Sequence, residues 1–158
     1  MNIITCVRQT PDTETVIKIS GAGNSIETDG VKFVLGPYDE YALEAAAQIK
    51  EKQGGDVTVV TVGGDRAAET LRHCLAVGAD KAVHIQDNGV TGDDALAVAT
   101  ALANQIKKLP HDLIFVSNKG TDSDRGAVGP MLGELLGLPY VGLVTEIEVE
   151  DGGKSVVV

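Results

Sequence analysis

The run Val57-Thr58-Val59-Val60-Thr61-Val62, closed by Gly63-Gly64-Asp65, decides the fold. It is short, continuously apolar or β-branched, and ended by a glycine turn, the pattern of a strand buried on both faces. Directly after it, Ala67, Leu71, Cys74 and Leu75 recur with helical period up to the terminator Gly78, and a second aliphatic run, Lys81 to Ile85, follows. Strand, crossover helix and strand predict a parallel pair. Upstream, Ile3 to Val7 is a strand of the same kind. A helix from Pro37, a first-turn proline, buries Tyr41, Ala42, Ala45, Ala46 and Ile49 before Gly54-Gly55 stops it. Downstream, Asp93-Asp94 opens a helix with Leu96, Ala99, Leu102, Ala103 and Ile106 on one stripe, ending before Pro110. Leu113 to Ser117 is the next strand. A last helix after Gly126 carries Val128, Leu132, Leu135 and Leu136 and stops at Gly137. The sum is a doubly wound, mostly parallel α/β sheet with helices on both faces.

Residues 9–36 are too long for an ordinary βα loop. Their alternating segments Val16 to Ile19 and Ser25 to Thr28, around Gly21-Ala22-Gly23-Asn24, predict a small β-hairpin insertion, about 13–30, laid on the main sheet. No composition shift marks a second domain, so residues 1–158 read as one α/β domain. The terminal run Ser155 to Val158 reads as a strand interrupted in mid-course.

At 158 residues and 43 % hydrophobic content, the chain is large enough for a real core. Its 23 acidic against 13 basic residues give a net charge of -10, which disfavours nucleic acid and anionic lipid as partners. Only five side chains are aromatic, three Tyr and two Phe, while 19 residues are glycine, consistent with aliphatic strands and tight turns. Cys6 and Cys74 sit in apolar surroundings without a C-x-x-C motif and read as reduced, buried thiols. The opening Met1-Asn2-Ile3-Ile4-Thr5-Cys6-Val7 lacks the features of a signal or transit peptide, and no run is long enough to insert in a membrane. The expected location is cytoplasmic.

In such a sheet, ligands bind beyond the carboxyl ends of the strands, where strand order reverses. Four segments qualify: Arg8 to Asp12, Gly36-Pro37-Tyr38-Asp39, Gly63-Gly64-Asp65, and the long stretch Asn118 to Gly129. The last is the richest, with glycines for close backbone approach and a helix N-terminus whose free N–H groups suit an anion. It matches neither G-x-G-x-x-G nor G-x-x-x-x-G-K-[ST]. Asp122 and Asp124 offset Lys119 and Arg125, so the loop suits a ligand with few phosphates or one held by backbone. The alternative is a plain polar loop before a capped helix. Asp122-Ser123-Asp124 begins like a calcium loop, but the sixth position is Ala127 and the twelfth Gly133, so no metal is expected. His73, His84 and His111 lie apart, and no nucleophile motif is present, so no catalytic residue is assigned.

Taken in order, several pieces resemble the β-subunit family of the electron transfer flavoproteins, FixA proteins included. They are Cys6-Val7-Arg8-Gln9 with Pro11-Asp12-Thr13, Asp29-Gly30-Val31, Gly36-Pro37-Tyr38-Asp39-Glu40-Tyr41-Ala42-Leu43-Glu44-Ala45-Ala46, Leu75-Ala76-Val77-Gly78-Ala79-Asp80, and the passage ending Val128-Gly129-Pro130. The resemblance implies an adenine-nucleotide-binding α/β fold and a heterodimer with an α subunit that holds most of a redox-active FAD. It implies that the β subunit binds AMP or, in electron-bifurcating members, a second FAD. Electrons would come from flavin dehydrogenases such as acyl-CoA dehydrogenases. Carried over by position, adenine and ribose would meet Cys6, Gly36, Pro37, Tyr38, Asp39, Thr61 and Val62. The phosphate would meet Lys119, Gly120, Thr121, Asp122, Ser123, Asp124, Arg125, Gly126, Ala127, Val128 and Gly129, with Lys119, Thr121, Ser123 and Arg125 as its polar partners.

The sequence departs from that family in three respects. Many members have Asn in place of Gly36, and the long loop reads Lys119-Gly120-Thr121-Asp122-Ser123-Asp124-Arg125 instead of the common Lys-Gln-Ala-Ile-Asp form. Family β subunits also continue further, through the segment that embraces the α subunit and the loop that docks on dehydrogenases, so both are expected to be missing from these residues. Two competitors remain. A stand-alone ATP-binding module similar to universal stress proteins lacks its glycine spacing here. An ATP-cleaving ligase of the same broad fold needs an S-G-G-x-D-S type loop where this chain reads Arg8-Gln9-Thr10-Pro11-Asp12.

Overall fold

The computed structural model describes residues 1–86 and 94–158. Along the chain the elements are β1 (Asn2–Cys6), β2 (Gln9–Pro11), β3 (Phe33–Leu35), α1 (Pro37–Gln53), β4 (Asp56–Gly63) and α2 (Ala67–Ala76). They continue with β5 (Lys81–Gln86), α3 (Ala95–Ile106), β6 (Leu113–Val116), α4 (Val128–Leu136), β7 (Glu148–Glu150) and β8 (Ser155–Val157). The expected strand runs become β1, β4, β5 and β6, which pair in parallel in the order β5-β4-β1-β6. In register, Cys6 lies beside Val60 on one side and Val116 on the other.

Successive residues of a strand face opposite sides, and β1 supplies both. Ile3 and Val7, with Val57 and Val59, pack on Leu43, Ala46 and Ile49 of α1 and Leu71 and Cys74 of α2. Ile4, Cys6 and Val60 pack on Ala99, Leu102, Ala103 and Ile106 of α3 and Leu132 of α4. Two helices thus cover each face, the doubly wound arrangement. Each fully buried aliphatic side chain contributes about 1.5–3 kcal/mol of burial.

Three residues expected inside lie outside. Tyr41 is 74 % exposed, because the inward stripe of α1 runs through Asp39, Leu43, Ala46 and Ile49. Leu75 follows the fully buried Cys74 by one residue, a turn of about 100° around the helix, and is 42 % exposed. Leu96 is 53 % exposed, since burial on α3 begins one turn later at Ala99. Asp94 caps α3, its carboxylate accepting from the backbone N–H groups of Leu96 and Ala97 at 3.0 Å each. Its expected companion Asp93 lies outside the described residues.

The insertion also differs from expectation. Its paired strands are β2 and β3 at the base, and the expected hairpin of Val16 to Ile19 with Ser25 to Thr28 reduces to one bridge between Ile19 and Ile26. It does not lie on the main sheet through its apolar residues, as Val16 is 81 % and Ile19 63 % exposed. A lone two-stranded ribbon has no apolar layer to hold it. At the base, tertiary contacts exist: Gln9 donates to Thr70 Oγ1 at 3.1 Å, and the Arg66 guanidinium stacks 3.5 Å from the Phe33 ring centre. Ser155–Val157 is likewise not an extension of the main sheet. It pairs antiparallel with Glu148–Glu150, a ribbon whose Val149 packs on the α1 side of the core. Among the described residues, no helix is long and apolar enough to cross a membrane.

Candidate functional site

From β1 the chain moves to β4 and on to β5, then α3 carries it back across to β6 on the other side of β1. Strand order therefore reverses between β1 and β6, and the crevice beyond their carboxyl ends begins at Val7-Arg8 and Ser117-Asn118. The first turn of α1 closes one wall. Gly36 N–H donates to the Arg8 carbonyl at 3.0 Å, and Arg8 N–H donates to Asp39 Oδ2 at 3.2 Å. The Ser117 hydroxyl lies near the same carboxylate and lowers its pKa. Asp39 thus ties the start of α1 to the end of β1, and it is only 2 % exposed. Gly36 makes this possible, because a Cβ there would collide with the Asp39 carboxylate.

Burial dominates the electrostatics of this wall. It pushes the Asp39 carboxyl up to about 6, although Ser117, the bond from Arg8 N–H and the Arg8 charge pull the other way. The Cys6 thiol is pushed up to about 12 by its burial and by the Asp39 charge. A thiol in that state is neutral at physiological pH and is no nucleophile.

The second wall is the loop between β6 and α4. Its Asp122 carboxylate is paired with the Arg8 guanidinium across the crevice. Lys119 Nζ meets Asp124 Oδ1 at 2.6 Å, and the Asp124 N–H donates to the Gly120 carbonyl at 3.0 Å, turning the chain through a positive φ of 54°. Gly120 is buried directly against the Arg8 guanidinium, where a Cβ would collide with Nη2. Gly126 passes so close to the Asn118 carbonyl that a Cβ would sit 2.9 Å from its oxygen. The N-terminus of α4 has no side-chain cap, and Arg8 Nε is buried without an acceptor. A guanidinium N–H in need of an acceptor, side-chain-free backbone and an uncapped helix start together fit a phosphate or carboxylate anion.

Residues 23–158 match the family model of the electron transfer flavoprotein domain. The chain belongs to that family. It is 39 % identical over 157 residues to the electron transfer flavoprotein subunit beta of Thermoanaerobacterium thermosaccharolyticum, covering 99 % of this chain and 60 % of the relative. It is 39 % identical over 150 residues to the subunit of the same name from Bacillus subtilis, covering 94 % of this chain and 58 % of the relative. Protein FixA of Azorhizobium caulinodans is 37 % identical over 162 residues, covering 99 % of this chain and 57 % of that protein. The chain thus spans about three fifths of the length of these relatives.

Within this electron transfer flavoprotein domain, Gly36, Pro37, Tyr38 and Asp39 stand at one wall of the crevice and Lys119 to Gly126 at the other. The rest of the expected set is placed differently. Cys6 and Thr61 are 6 and 1 % exposed, and the partly buried Val62 packs on the α3 side of the core. Ala127 and Val128 lead into α4. Gly129 is shaped for a different neighbour, since a Cβ there would come within 2.9 Å of the Tyr140 ring. Gly63 to Asp65 is engaged structurally: Gln86 donates to Asp65 Oδ1 at 2.7 Å, and His84 Nε2 bonds the Gly63 carbonyl at 2.8 Å. Arg8 opened one of the candidate segments and Ser117 ended a strand run, but neither was assigned a ligand contact from sequence. Among the described residues, no group of three or more His, Cys, Asp or Glu side chains is arranged to hold a metal ion.

Proposed function

We propose that this chain is the nucleotide-holding core of an electron transfer flavoprotein β subunit and that the crevice between β1 and β6 binds AMP. The observation that carries this reading is the convergence at the switch point of Arg8, the Gly120 and Gly126 backbone and the uncapped start of α4. The loop charges favour AMP over a polyphosphate, because Asp122 and Asp124 already engage Arg8 and Lys119. Gly36 to Asp39 would border the adenosine, and Lys119, Thr121, Ser123 and Arg125 the phosphate. In this reading the partner is an α subunit with FAD, the electron donors are flavin dehydrogenases such as acyl-CoA dehydrogenases, and the location is cytoplasmic. When bound, the flavin supplies the electron chemistry. The side chains of this chain bind and position, and none acts as acid, base or nucleophile: burial holds Cys6 and Cys74 as neutral thiols, pushed up to about 12 and about 11.

The test is co-expression with the α subunit, denaturation of the purified complex and mass spectrometry of what is released. One AMP and one FAD per heterodimer is the expected result. Two FAD and no AMP would move the assignment to the bifurcating type, and release of neither would refute the reading.

A further inference from the structure

Arg8 is held at its root and unsettled at its tip. Its backbone is fixed at the end of β1 by the bonds to Asp39 and Gly36, so the guanidinium cannot leave the crevice far. Burial, partly offset by the Asp39 charge, lowers its pKa, although 36 % of the side chain stays exposed. Asp122 satisfies only part of the guanidinium. It meets Nη2 through one oxygen, whereas a guanidinium fork matches two oxygens side by side. Nε remains buried without an acceptor, and it is the only buried side-chain nitrogen in that position among the described residues. The two side chains are about equally exposed, Arg8 at 36 % and Asp122 at 38 %, but Asp122 belongs to the exposed stretch 121–126, so its carboxylate gains water on swinging outward. Half-exposed ion pairs of this kind hold weakly. Gly120, buried beneath the guanidinium, adds no side chain to block the approach of another anion.

We propose that Arg8 receives the phosphate of the bound nucleotide and that Asp122 occupies its place beforehand, so that binding exchanges one anion for another on the same guanidinium. The loop from Lys119 to Gly126 is then a latch released by the ligand. A phosphate monoester brings two or more oxygens and more charge than a carboxylate, which is what Nη2 and the orphaned Nε together require. This inference rests on the nucleotide reading above and adds to it a residue, a partner and an order of events.

The experiment is calorimetric titration of the chain with AMP and, separately, with adenosine, in four forms: unchanged, Arg8→Gln, Asp122→Asn and the double variant. Arg8→Gln is expected to weaken AMP roughly ten- to a hundredfold, the range for a hydrogen bond to a charged group, while adenosine changes less than about twofold. Asp122→Asn is expected to tighten AMP about two- to fivefold, because the internal competitor is gone, and to have no such effect when Arg8 is already Gln. Arg8→Lys, which keeps charge without the fork, falls between. Melting curves on every variant establish that each is folded. Equal AMP affinity for the unchanged and Arg8→Gln forms, or a gain from Asp122→Asn that persists without Arg8, overturns the exchange while the nucleotide reading stands. Failure of the unchanged chain to bind either ligand removes the reading and the exchange together.

Discussion

Replacing Asp39 with asparagine is expected to flatten a distinct part of the protein's stability profile between about pH 4 and pH 6. The carboxyl titrates at 3.8 in a solvated chain and near 6 in the fold, chiefly because it is buried. Between those values the folded state binds more protons than the unfolded state, so stability falls as the pH rises and remains lower above the folded value. A difference of about two pH units at about 1.36 kcal/mol each gives about 3 kcal/mol. Asparagine is nearly isosteric, its carbonyl oxygen can still accept the Arg8 N–H, and it carries no charge at any pH. Subtracting the two stability curves cancels the carboxylates common to both proteins. The advantage of Asp39→Asn over the parent should therefore grow by up to about 3 kcal/mol from pH 4 to pH 7, or about 6–12 °C in Tm for a chain of this size. Urea unfolding followed by circular dichroism at four pH values measures it. Parallel curves, with a constant offset across the range, would refute the claim that burial governs this group.

Two further substitutions probe the latch loop and the frame that carries it. Gly126→Ala places a Cβ 2.9 Å from the Asn118 carbonyl oxygen, so the exposed loop must shift. AMP affinity is expected to fall several-fold while Tm changes by only a few degrees, as melting and calorimetry would record, and an unchanged affinity would mean that this loop does not shape the site. Asp80→Asn weakens the link to Lys50 Nζ, now 2.9 Å away, and the acceptor of the Val57 N–H at 2.8 Å. Its carboxyl is held below the usual range, first by Val57 and then by Lys50, so its contribution is present above the unfolded pKa and disappears as the pH falls through the lowered folded value. With the side chain 34 % exposed, screening limits the loss to about 1 kcal/mol at pH 7. A cost undiminished at pH 2.5 would contradict that account.

The strand runs of β1, β4, β5 and β6 and the spans of the four helices were legible in the sequence to within about two residues, because each is written in local pattern. A β-branched run such as Val57 to Val62 favours a strand wherever it lies, and Pro37 and Gly137 bound helices through their own backbone preferences. The electron transfer flavoprotein resemblance was legible for a related reason, since its motifs are contiguous. Facing was less legible. Tyr41, Leu75 and Leu96 read as core and are exposed, because helical period states which residues share a side but not which side the sheet will cover. The roles of Gly36, which leaves room for the Asp39 carboxylate, and Gly129, which admits the Tyr140 ring, depend on side chains arriving from other turns or from beyond the helix. Arg8 and Asp122 show the limit most plainly. They stand 114 positions apart in the chain, and no local propensity relates them. By itself the sequence determined the elements, their α/β class and the loops to watch. Only the tertiary structure, by setting β6 beside β1, decided that a cation at one strand end would face a carboxylate from the other, because packing and not chain neighbourhood selects which charges meet.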